Sequence, residues 1–345
     1  MRRNIHDHTA LTKNSFDCNN LHDDIMANAS MTMTLKITRA EPAADGIQLF
    51  ELRHPDSNDL PEFSAGAHIS ITVPNGAIRK YSLCNDPNER DRYVIAVKRE
   101  IDGRGGSVSL IDGVKAGDSV AASDPVNDFE LPRNVNDFVF IAGGIGITPI
   151  MAMIHQLRAT EGKKFRLYYC TRSPETTAFV DELKGPEFRG KVTIHHDGGN
   201  PDKALDLWPI LEQRKNLEHI FCCGPRPLMQ AVRDMAGHWP ASALHFEAFS
   251  EPERTRIDDK PFKLRLARSG DVVDVPVGTT ILEALRAKGY DAPSSCESGT
   301  CGTCRTQLLA GEADHRDLVL IEAERSNNIM ICVSRALSSE ITIDR

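Results

Sequence analysis

The stretch Cys296-Glu297-Ser298-Gly299-Thr300-Cys301-Gly302-Thr303-Cys304 contains three of the nine cysteines of the chain, and Cys332 follows after 27 further residues. The spacing C-x4-C-x2-C with a distant fourth cysteine is typical of a [2Fe–2S] cluster of the plant type. Gly, Ser and Thr between the cysteines allow backbone N–H groups to turn toward negatively charged sulfurs. The pattern therefore predicts a cluster held by Cys296, Cys301, Cys304 and Cys332. A structural zinc is the alternative, although zinc sites favour two C-x2-C pairs and only one is present.

The length and composition of the chain limit the classes of protein to which it can belong. A chain of 345 residues suggests about two or three domains, and its formal net charge of −8 gives no whole-molecule attraction for nucleic acid. It lacks an apolar run of about 18 residues or more, so we expect no membrane span. Residues 1–31 are polar and lack the apolar segment of a secretion signal, which predicts a disordered leader and a cytoplasmic protein. The number of cysteines is odd, and the last four are closely spaced; in a chain without a secretion signal this pattern indicates metal binding rather than a set of disulfides.

Hydrophobic periodicity divides the rest of the chain into three regions. Residues 32–134 contain short strands separated by turn residues, such as the strand predicted over Ile47–Arg53, which indicates an antiparallel barrel or sandwich. Residues 135–250 alternate strands and helices, with helices predicted over 177–183 and 204–211 among others, which indicates a doubly wound parallel α/β sheet. Residues 251–260 are highly charged and are predicted to be a linker. Residues 261–345 return to short strands with one helix, and they carry the four clustered cysteines, the last of them on a strand predicted over 329–333.

Two loops in the second region are candidates for binding a nucleotide. Gly143-Gly144-Ile145-Gly146-Ile147-Thr148-Pro149 follows a predicted strand and precedes a helix, where glycines let the backbone approach a pyrophosphate. Cys223-Gly224-Pro225 ends a later predicted strand. Ligands of open α/β sheets bind outside the carboxyl ends of strands, so both loops are expected at one edge. A tight strand-to-helix turn without a ligand is the alternative for the first loop.

A third motif, Arg79-Lys80-Tyr81-Ser82, lies in the first region. Arg79 and Tyr81 are predicted to share one face of a strand, and Lys80 and Ser82 the other. These side chains could bind a flavin through its phosphate, ribityl chain and ring. A strand with a solvated arginine and a core tyrosine is the alternative. Gly103-Arg104-Gly105-Gly106-Ser107 before a short helix offers a second phosphate cradle.

These motifs occur in the order found in the ferredoxin-reductase-like oxygenase reductases, and the chain from about residue 35 onward resembles that family. The resemblance implies a six-stranded Greek-key barrel that binds FMN and an α/β domain that binds NADH. It also implies a C-terminal β-grasp ferredoxin domain of the plant type.

The resemblance also assigns site residues. The implied flavin contacts are Arg79, Lys80, Tyr81, Ser82, Ala96, Val97, Lys98, Gly105, Gly106 and Ser107. The implied nucleotide contacts are Gly143, Gly144, Gly146, Thr148, Cys223, Gly224 and Pro225. Thr148, Cys223 and Phe249 would orient the nicotinamide and the flavin for hydride transfer.

The three sites together predict one electron path from NADH through FMN and the cluster to an external acceptor. The resemblance implies that the acceptor is the Rieske-type terminal oxygenase of an aromatic-ring dioxygenase, and that the reductase is a monomer. Two alternatives stay open: an FAD-containing reductase of another mono- or dioxygenase or demethylase, and a non-catalytic electron-transfer module.

The surface that contacts the electron acceptor is expected near the cysteine loop. Acidic and basic residues nearly balance in residues 261–345, so we expect the acceptor to dock on a small, partly apolar patch that contains Ser298 and Thr300.

Overall fold

The computed structural model describes residues 31–215, 217–249 and 256–345. Apart from Met31, the predicted leader lies outside these residues, as does half of the predicted linker. Among the described residues, no helix is both long and apolar enough to cross a lipid bilayer.

The first unit, called the barrel below, is an antiparallel sheet with one helix. Its elements are β1 (Met31–Ala44), β2 (Ile47–Arg53), β3 (His68–Thr72), β4 (Ile78–Ser82), β5 (Tyr93–Lys98), α1 (Gly106–Gly113) and β6 (Ser119–Ser123). The six strands pair in the order β4-β3-β6-β1-β2-β5. The edge strands β4 and β5 lie against each other, and the Cys84 N–H donates to the Val94 carbonyl at 2.9 Å. The sheet therefore closes around an apolar interior.

The second unit, called the α/β unit, is a parallel sheet flanked by helices. Its elements are β7 (Asp137–Gly143), α2 (Ile147–Arg158), β8 (Lys164–Thr171), α3 (Val180–Leu183), β9 (Val192–His196), α4 (Trp208–Leu211), β10 (Glu218–Cys223), α5 (Arg226–Met235) and β11 (Leu244–Glu247). Short 3₁₀ turns cover Gly144–Gly146, Pro186–Phe188, Pro201–Lys203 and Ala241–Ala243. The strand order is β11-β10-β7-β8-β9. Strand β7 is central and apolar because both faces of the sheet are covered. The chain leaves β7 toward β8 and later returns to its other side at β10, so the topological switch point lies between β7 and β10.

The third unit, called the cluster unit, is a mixed sheet with a helix packed on it. Its elements are β12 (Phe262–Leu266), β13 (Val272–Val275), α6 (Ile281–Ala287), β14 (Arg305–Ala310), β15 (Ala313–Asp314), α7 (Glu322–Arg325), β16 (Asn328–Met330), β17 (Arg335–Ala336) and β18 (Glu340–Ile343). The larger sheet has the order β13-β12-β18-β14-β16. A capping box formed by Thr280 and Glu283 begins α6, whose apolar face completes the core.

The structure corrects several predicted elements. The helices predicted over 177–183 and 204–211 are reduced to four residues each. In the first case Phe179 has φ 59°, which the right-handed helix does not allow. The strand predicted over 329–333 ends at Met330. Cys332 therefore lies in a turn, closed by the N–H of Ser334 on the Met330 carbonyl at 3.0 Å. Strand β11 was not predicted.

Side chains of the α/β unit hold the cluster unit in place. Arg233 on α5 donates to the Asp317 carbonyl at 2.7 Å and also to the Leu320 carbonyl. Arg226 donates to the carbonyl of Arg316. Leu318 is 4% exposed and packs into the apolar cluster of the α/β unit that contains Val139 and Ile141. These contacts fix the segment that lies beside the cysteine loop, because the Leu318 N–H donates to the Gly299 carbonyl at 2.9 Å.

Candidate redox site

The cysteine loop directs backbone N–H groups toward sulfur. The N–H groups of Ser298, Thr300 and Cys301 lie 3.5, 3.4 and 3.3 Å from Sγ of Cys296. The turn requires φ 76° at Gly299, where a Cβ would also lie 2.7 Å from a methyl carbon of Val333. The hydrogen bond with Cys301 lowers the pKa of Cys296 against the opposing effect of burial, and the hydrogen bonds from Ser298 and Thr300 lower it further. The loop therefore stabilises the thiolate form that binds iron.

The four thiols are arranged in two pairs, which decides between the two metal sites considered from the sequence. Cys296 is hydrogen-bonded to Cys301, and Cys304 to Cys332. Across residues 31–215, 217–249 and 256–345, no three His, Cys, Asp or Glu side chains converge as one bound ion would require. Two pairs of thiolates suit two irons with two ligands each, whereas a structural zinc needs four donors around one point. The donor set fits a [2Fe–2S] cluster.

The outer edge of the cysteine loop differs from the prediction. Ser298 is only 6% exposed, and its hydroxyl lies 3.1 Å from that of Thr300. The prediction that Ser298 lies in an exposed docking patch is wrong, because this side chain turns into the loop. Thr300 is half-buried, and Thr303 is exposed. The accessible edge of the loop is therefore centred on Thr303.

In the barrel, Arg79 lies across the start of α1. This helix begins after Gly105, which has φ 74°, and no side chain caps it. A Cβ on Gly106 would lie 2.5 Å from Nε of Arg79, so the guanidinium group crosses the first turn in direct contact. Ser107 Oγ accepts the N–H of Glu100 at 3.0 Å, which fixes the preceding loop. Helix N–H groups next to a guanidinium group can bind a phosphate.

Strands β4 and β5 supply the other predicted flavin residues. Tyr81 is largely buried, which raises its pKa to about 12, and its buried hydroxyl has no hydrogen-bond partner among the described residues. An orphaned buried hydroxyl is costly unless a bound group satisfies it, so this observation fits a flavin site. Ala96 and Val97 are buried, whereas Lys98 is exposed and pairs with Glu100. Lys80 is also exposed.

The two nucleotide-loop candidates meet at the topological switch point. A Cβ on Gly146 would lie 2.2 Å from the Cys223 carbonyl oxygen, and one on Gly224 would lie 2.9 Å from the Cα of Gly143. A Cβ on Gly143 would lie 2.5 Å from Cδ of Pro225. Gly144 has φ 53°, which favours glycine. The loops touch backbone to backbone at the edge where ligands of open α/β sheets bind.

Replacing Gly146 by alanine is expected to separate these two loops. The added Cβ meets backbone atoms that cannot rotate away, so we expect a loss of about 1–3 kcal/mol in stability and weaker nucleotide binding. Thermal unfolding and titration with NADH measure both effects. Gly237→Ala in the same unit is the control, because the nearest atom to its Cβ lies at 3.4 Å. Equal behaviour of the two variants would contradict the close contact.

The structure also describes Thr148 and Phe249, two of the predicted orienting residues. Thr148 is 2% exposed in the first turn of α2, and its hydroxyl donates to the Ile145 carbonyl at 3.0 Å. Its oxygen can still accept a hydrogen bond from a ligand. Phe249 follows β11 and is 45% exposed, so its ring is accessible to a bound group.

Glu247 is a candidate site residue that the sequence interpretation missed. It ends β11, hydrogen-bonds to Ser82 of the barrel, and has Oε2 4.0 Å from Sγ of Cys223. Burial, and next the carboxylate of Asp128, raise the pKa of Glu247 to about 8. The thiol group of Cys296 is also near enough to raise the pKa of Glu247. Leu244-His245-Phe246-Glu247 alternates apolar and polar residues, but four residues are a weak strand signal.

The raised pKa makes the contribution of Glu247 to stability depend on pH. The folded protein retains this proton up to about pH 8, whereas the unfolded chain releases it near 4.5. The stabilisation is therefore complete below the unfolded value and is lost as the pH rises through the folded value. We expect the unfolding temperature to fall between about pH 5 and about pH 8.5 more steeply in the wild type than in Glu247→Gln. The exposed Glu212→Gln change is the control; parallel curves for all three proteins would refute the assignment.

Comparison with known proteins agrees with this geometry. Residues 34–131 match the family model described as an oxidoreductase FAD-binding domain, and residues 264–337 match that of a 2Fe-2S iron-sulfur cluster binding domain. The phthalate 4,5-dioxygenase oxygenase reductase subunit of Pseudomonas putida is 53% identical over 310 residues, which are 90% of this chain and 96% of that protein. Phthalate dioxygenase reductase of Burkholderia cepacia is 52% identical over 312 residues, 90% of this chain and 97% of its own length.

A solved structure from the same family is similar to this chain. The structure of phthalate dioxygenase reductase, described as modular for electron transfer from pyridine nucleotides to [2Fe–2S], is similar at a TM-score of 0.66 and 52% identity. The match covers 91% of this chain and 98% of that one. The predicted fold class, with an antiparallel flavin domain, an α/β domain and a C-terminal [2Fe–2S] domain, is confirmed. The chain is thus a flavin and iron–sulfur oxidoreductase that belongs to the family of phthalate dioxygenase reductase.

Proposed function

We propose that this reductase transfers electrons from NADH through FMN and the [2Fe–2S] cluster to a Rieske-type oxygenase that acts on phthalate or a similar aromatic acid. The proposal rests on the position of Glu247, which lies where the candidate flavin, nucleotide and cluster sites meet. This carboxyl group contacts Ser82 on the flavin side and Cys223 on the nucleotide side, and it lies near Cys296 of the cluster loop. When bound, the flavin accepts a two-electron hydride and releases single electrons, which the cluster carries one at a time.

The residues of the chain supply position and charge for this transfer. Gly143 and Gly146 allow the nucleotide loops to touch, and Thr148 offers a lone pair beside them. At the flavin side, Arg79 and the N-terminus of α1 fix a phosphate, and Tyr81 offers its buried hydroxyl. Cys223 and Glu247 place uncharged groups beside the nucleotide loops at neutral pH, because burial raises the pKa of the Cys223 thiol and that of the Glu247 carboxyl group.

FMN is proposed because the start of α1 and Arg79 suit a phosphate group at the end of the flavin rather than one that continues into a second nucleotide. A monophosphate ester carries two charges, which the uncapped N-terminus of α1 and the guanidinium group of Arg79 match. Chromatography of the flavin released from purified protein tests this point. FMN is expected; FAD, in line with the description of the matched family model, would assign the chain to the alternative class of reductases.

NADH is proposed rather than NADPH because a carboxylate, that of Asp197, lies near the carboxyl end of β8. Burial, and next the carboxylate of Asp197, raise the pKa of Cys170 to about 11, which places Asp197 near the carboxyl end of this strand. A carboxylate there favours a ribose hydroxyl and repels a 2′-phosphate. The exposed Arg172 is the competing feature. We expect NADH to give the higher kcat/KM in ferricyanide reduction, and a preference for NADPH would overturn the assignment.

The oxygenase partner is proposed from the two relatives, which are named reductases of phthalate dioxygenase systems. Reconstitution with a purified Rieske-type phthalate dioxygenase, NADH and oxygen tests it. Dihydroxylated product at a rate limited by the oxygenase is expected. Absence of product, with ferricyanide still reduced, would show that the acceptor belongs to another class. We also propose a monomer, which light scattering of the purified protein tests.

A further inference from the structure

The segment Asn127-Asp128-Phe129 joins the barrel to the α/β unit, and its three consecutive side chains contact three different units. Asn127 belongs to the barrel. Its Nδ2 donates to the Ser64 hydroxyl at 2.7 Å and to the Ala65 carbonyl at 3.0 Å, and its Oδ1 accepts the Phe129 N–H at 2.9 Å. One amide side chain therefore fixes both this segment and the adjoining barrel loop.

Phe129 carries the segment into the α/β unit. Its ring is 3% exposed, and its centroid lies 5.2 Å from that of Phe221 on β10. Its carbonyl oxygen would lie 2.3 Å from a Cβ placed on Gly66, so the barrel loop touches the backbone of Phe129 directly. Ala65 adds a second link, since its N–H donates to Gln156 of α2 at 3.0 Å. The position of β10 and of the loop after it is thereby tied to the barrel.

Asp128 points to the cluster unit. Its Oδ1 accepts a hydrogen bond from Oγ of Ser295, the residue immediately before Cys296. The contact spans 167 residues of sequence and joins the barrel to the cysteine loop itself. The contacts of Arg226 and Arg233 hold the cluster unit only against the α/β unit.

We propose that Asp128 is a positioning residue for electron transfer: the Asp128–Ser295 hydrogen bond holds the cysteine loop against the flavin barrel, with Asn127 and Phe129 anchoring Asp128 to the other two units. This inference rests on the proposed electron path. Electron-transfer rates fall steeply with distance, so a contact one residue from a cluster ligand controls the rate at which the cluster is reduced. Asp128 touches neither the nucleotide loops nor the start of α1, but its carboxylate lies near enough to Glu247 to act on it. Asp128→Ala and Asp128→Asn both remove this charge, whereas only Asp128→Ala removes the acceptor for Ser295.

The test compares Asp128→Ala with Asp128→Asn in the intact protein loaded with flavin and cluster. The asparagine amide oxygen still accepts from Ser295 although the charge is gone, whereas alanine removes the acceptor. Anaerobic stopped-flow with NADH separates flavin bleaching from cluster reduction. We expect cluster reduction to slow about tenfold in Asp128→Ala, because loss of a hydrogen bond to a charged group lowers the population of the docked cysteine loop by about that factor. The rate should return to within about twofold in Asp128→Asn. Flavin bleaching is expected to be the same in the two variants, because both lack the carboxylate charge that acts on Glu247.

A second measurement does not depend on turnover. Hydrogen–deuterium exchange of peptides covering residues 124–132 and 294–298 is expected to be faster in Asp128→Ala and in Ser295→Ala, which removes the donor. Glu130→Gln, an exposed carboxylate on the same segment, is the control. Wild-type rates and exchange in Asp128→Ala, or equal slowing in the alanine and asparagine variants, would overturn the proposal. Failure of NADH to reduce the cluster in the wild type would instead refute the electron path.

Discussion

Replacement of Cys301 by serine is expected to abolish the [2Fe–2S] cluster while NADH still reduces the flavin. A serine hydroxyl has a high pKa and is a poor iron ligand, and the partner thiol Cys296 would lose the neighbour that completes its pair. The visible absorption and EPR signal of the cluster should be lost, and cytochrome c reduction should fall to near background. Ferricyanide reduction, which needs only the flavin, should be retained.

The matched control is Cys170→Ser, which replaces a half-buried thiol outside the cysteine loop. It should leave the cluster spectrum unchanged. Equivalent replacements of Cys296, Cys304 and Cys332 should behave like Cys301→Ser. An unchanged EPR signal in any of the four variants would remove that cysteine from the ligand set.

Replacement of Arg79 by alanine is expected to weaken flavin binding by about 1.5–3 kcal/mol, or roughly ten- to a hundredfold in Kd. The guanidinium group lies across the first turn of α1, so its loss removes a charge-assisted hydrogen bond and leaves the phosphate to the helix N–H groups alone. Purified variant protein should be depleted of flavin and keep its cluster.

Fluorescence titration of flavin-free protein measures this loss. Lys115→Ala is the control, since it removes an exposed cation beyond the other end of α1. The same affinity in both variants would assign Arg79 to a purely structural contact with Gly106.

Local patterns predicted the elements whose signal is contained in a short stretch. The cysteine spacing predicted the cluster ligands, and strand periodicity predicted β2 over its observed range, Ile47–Arg53. The glycines of the nucleotide loops were also evident, because a strand followed by glycines and a helix is a local feature.

The missed features depend on contacts between distant segments. Glu247 became a candidate only when β11 placed it beside Ser82 and Cys223. Ser298 looked like an exposed polar residue, but the turn around Cys296 buries it. The pairing of Asp128 with Ser295 has no sequence signature, because nothing local to either residue specifies the other.

Anaerobic titration with NADH, followed by visible absorption and EPR, tests the central claim most directly. If one path joins nucleotide, flavin and cluster, both centres are reduced together, and about 1.5 equivalents of NADH supply the three electrons that they hold. The flavin bands should bleach as the EPR signal of the reduced cluster appears. A cluster that stays oxidised beside a fully reduced flavin would contradict the account.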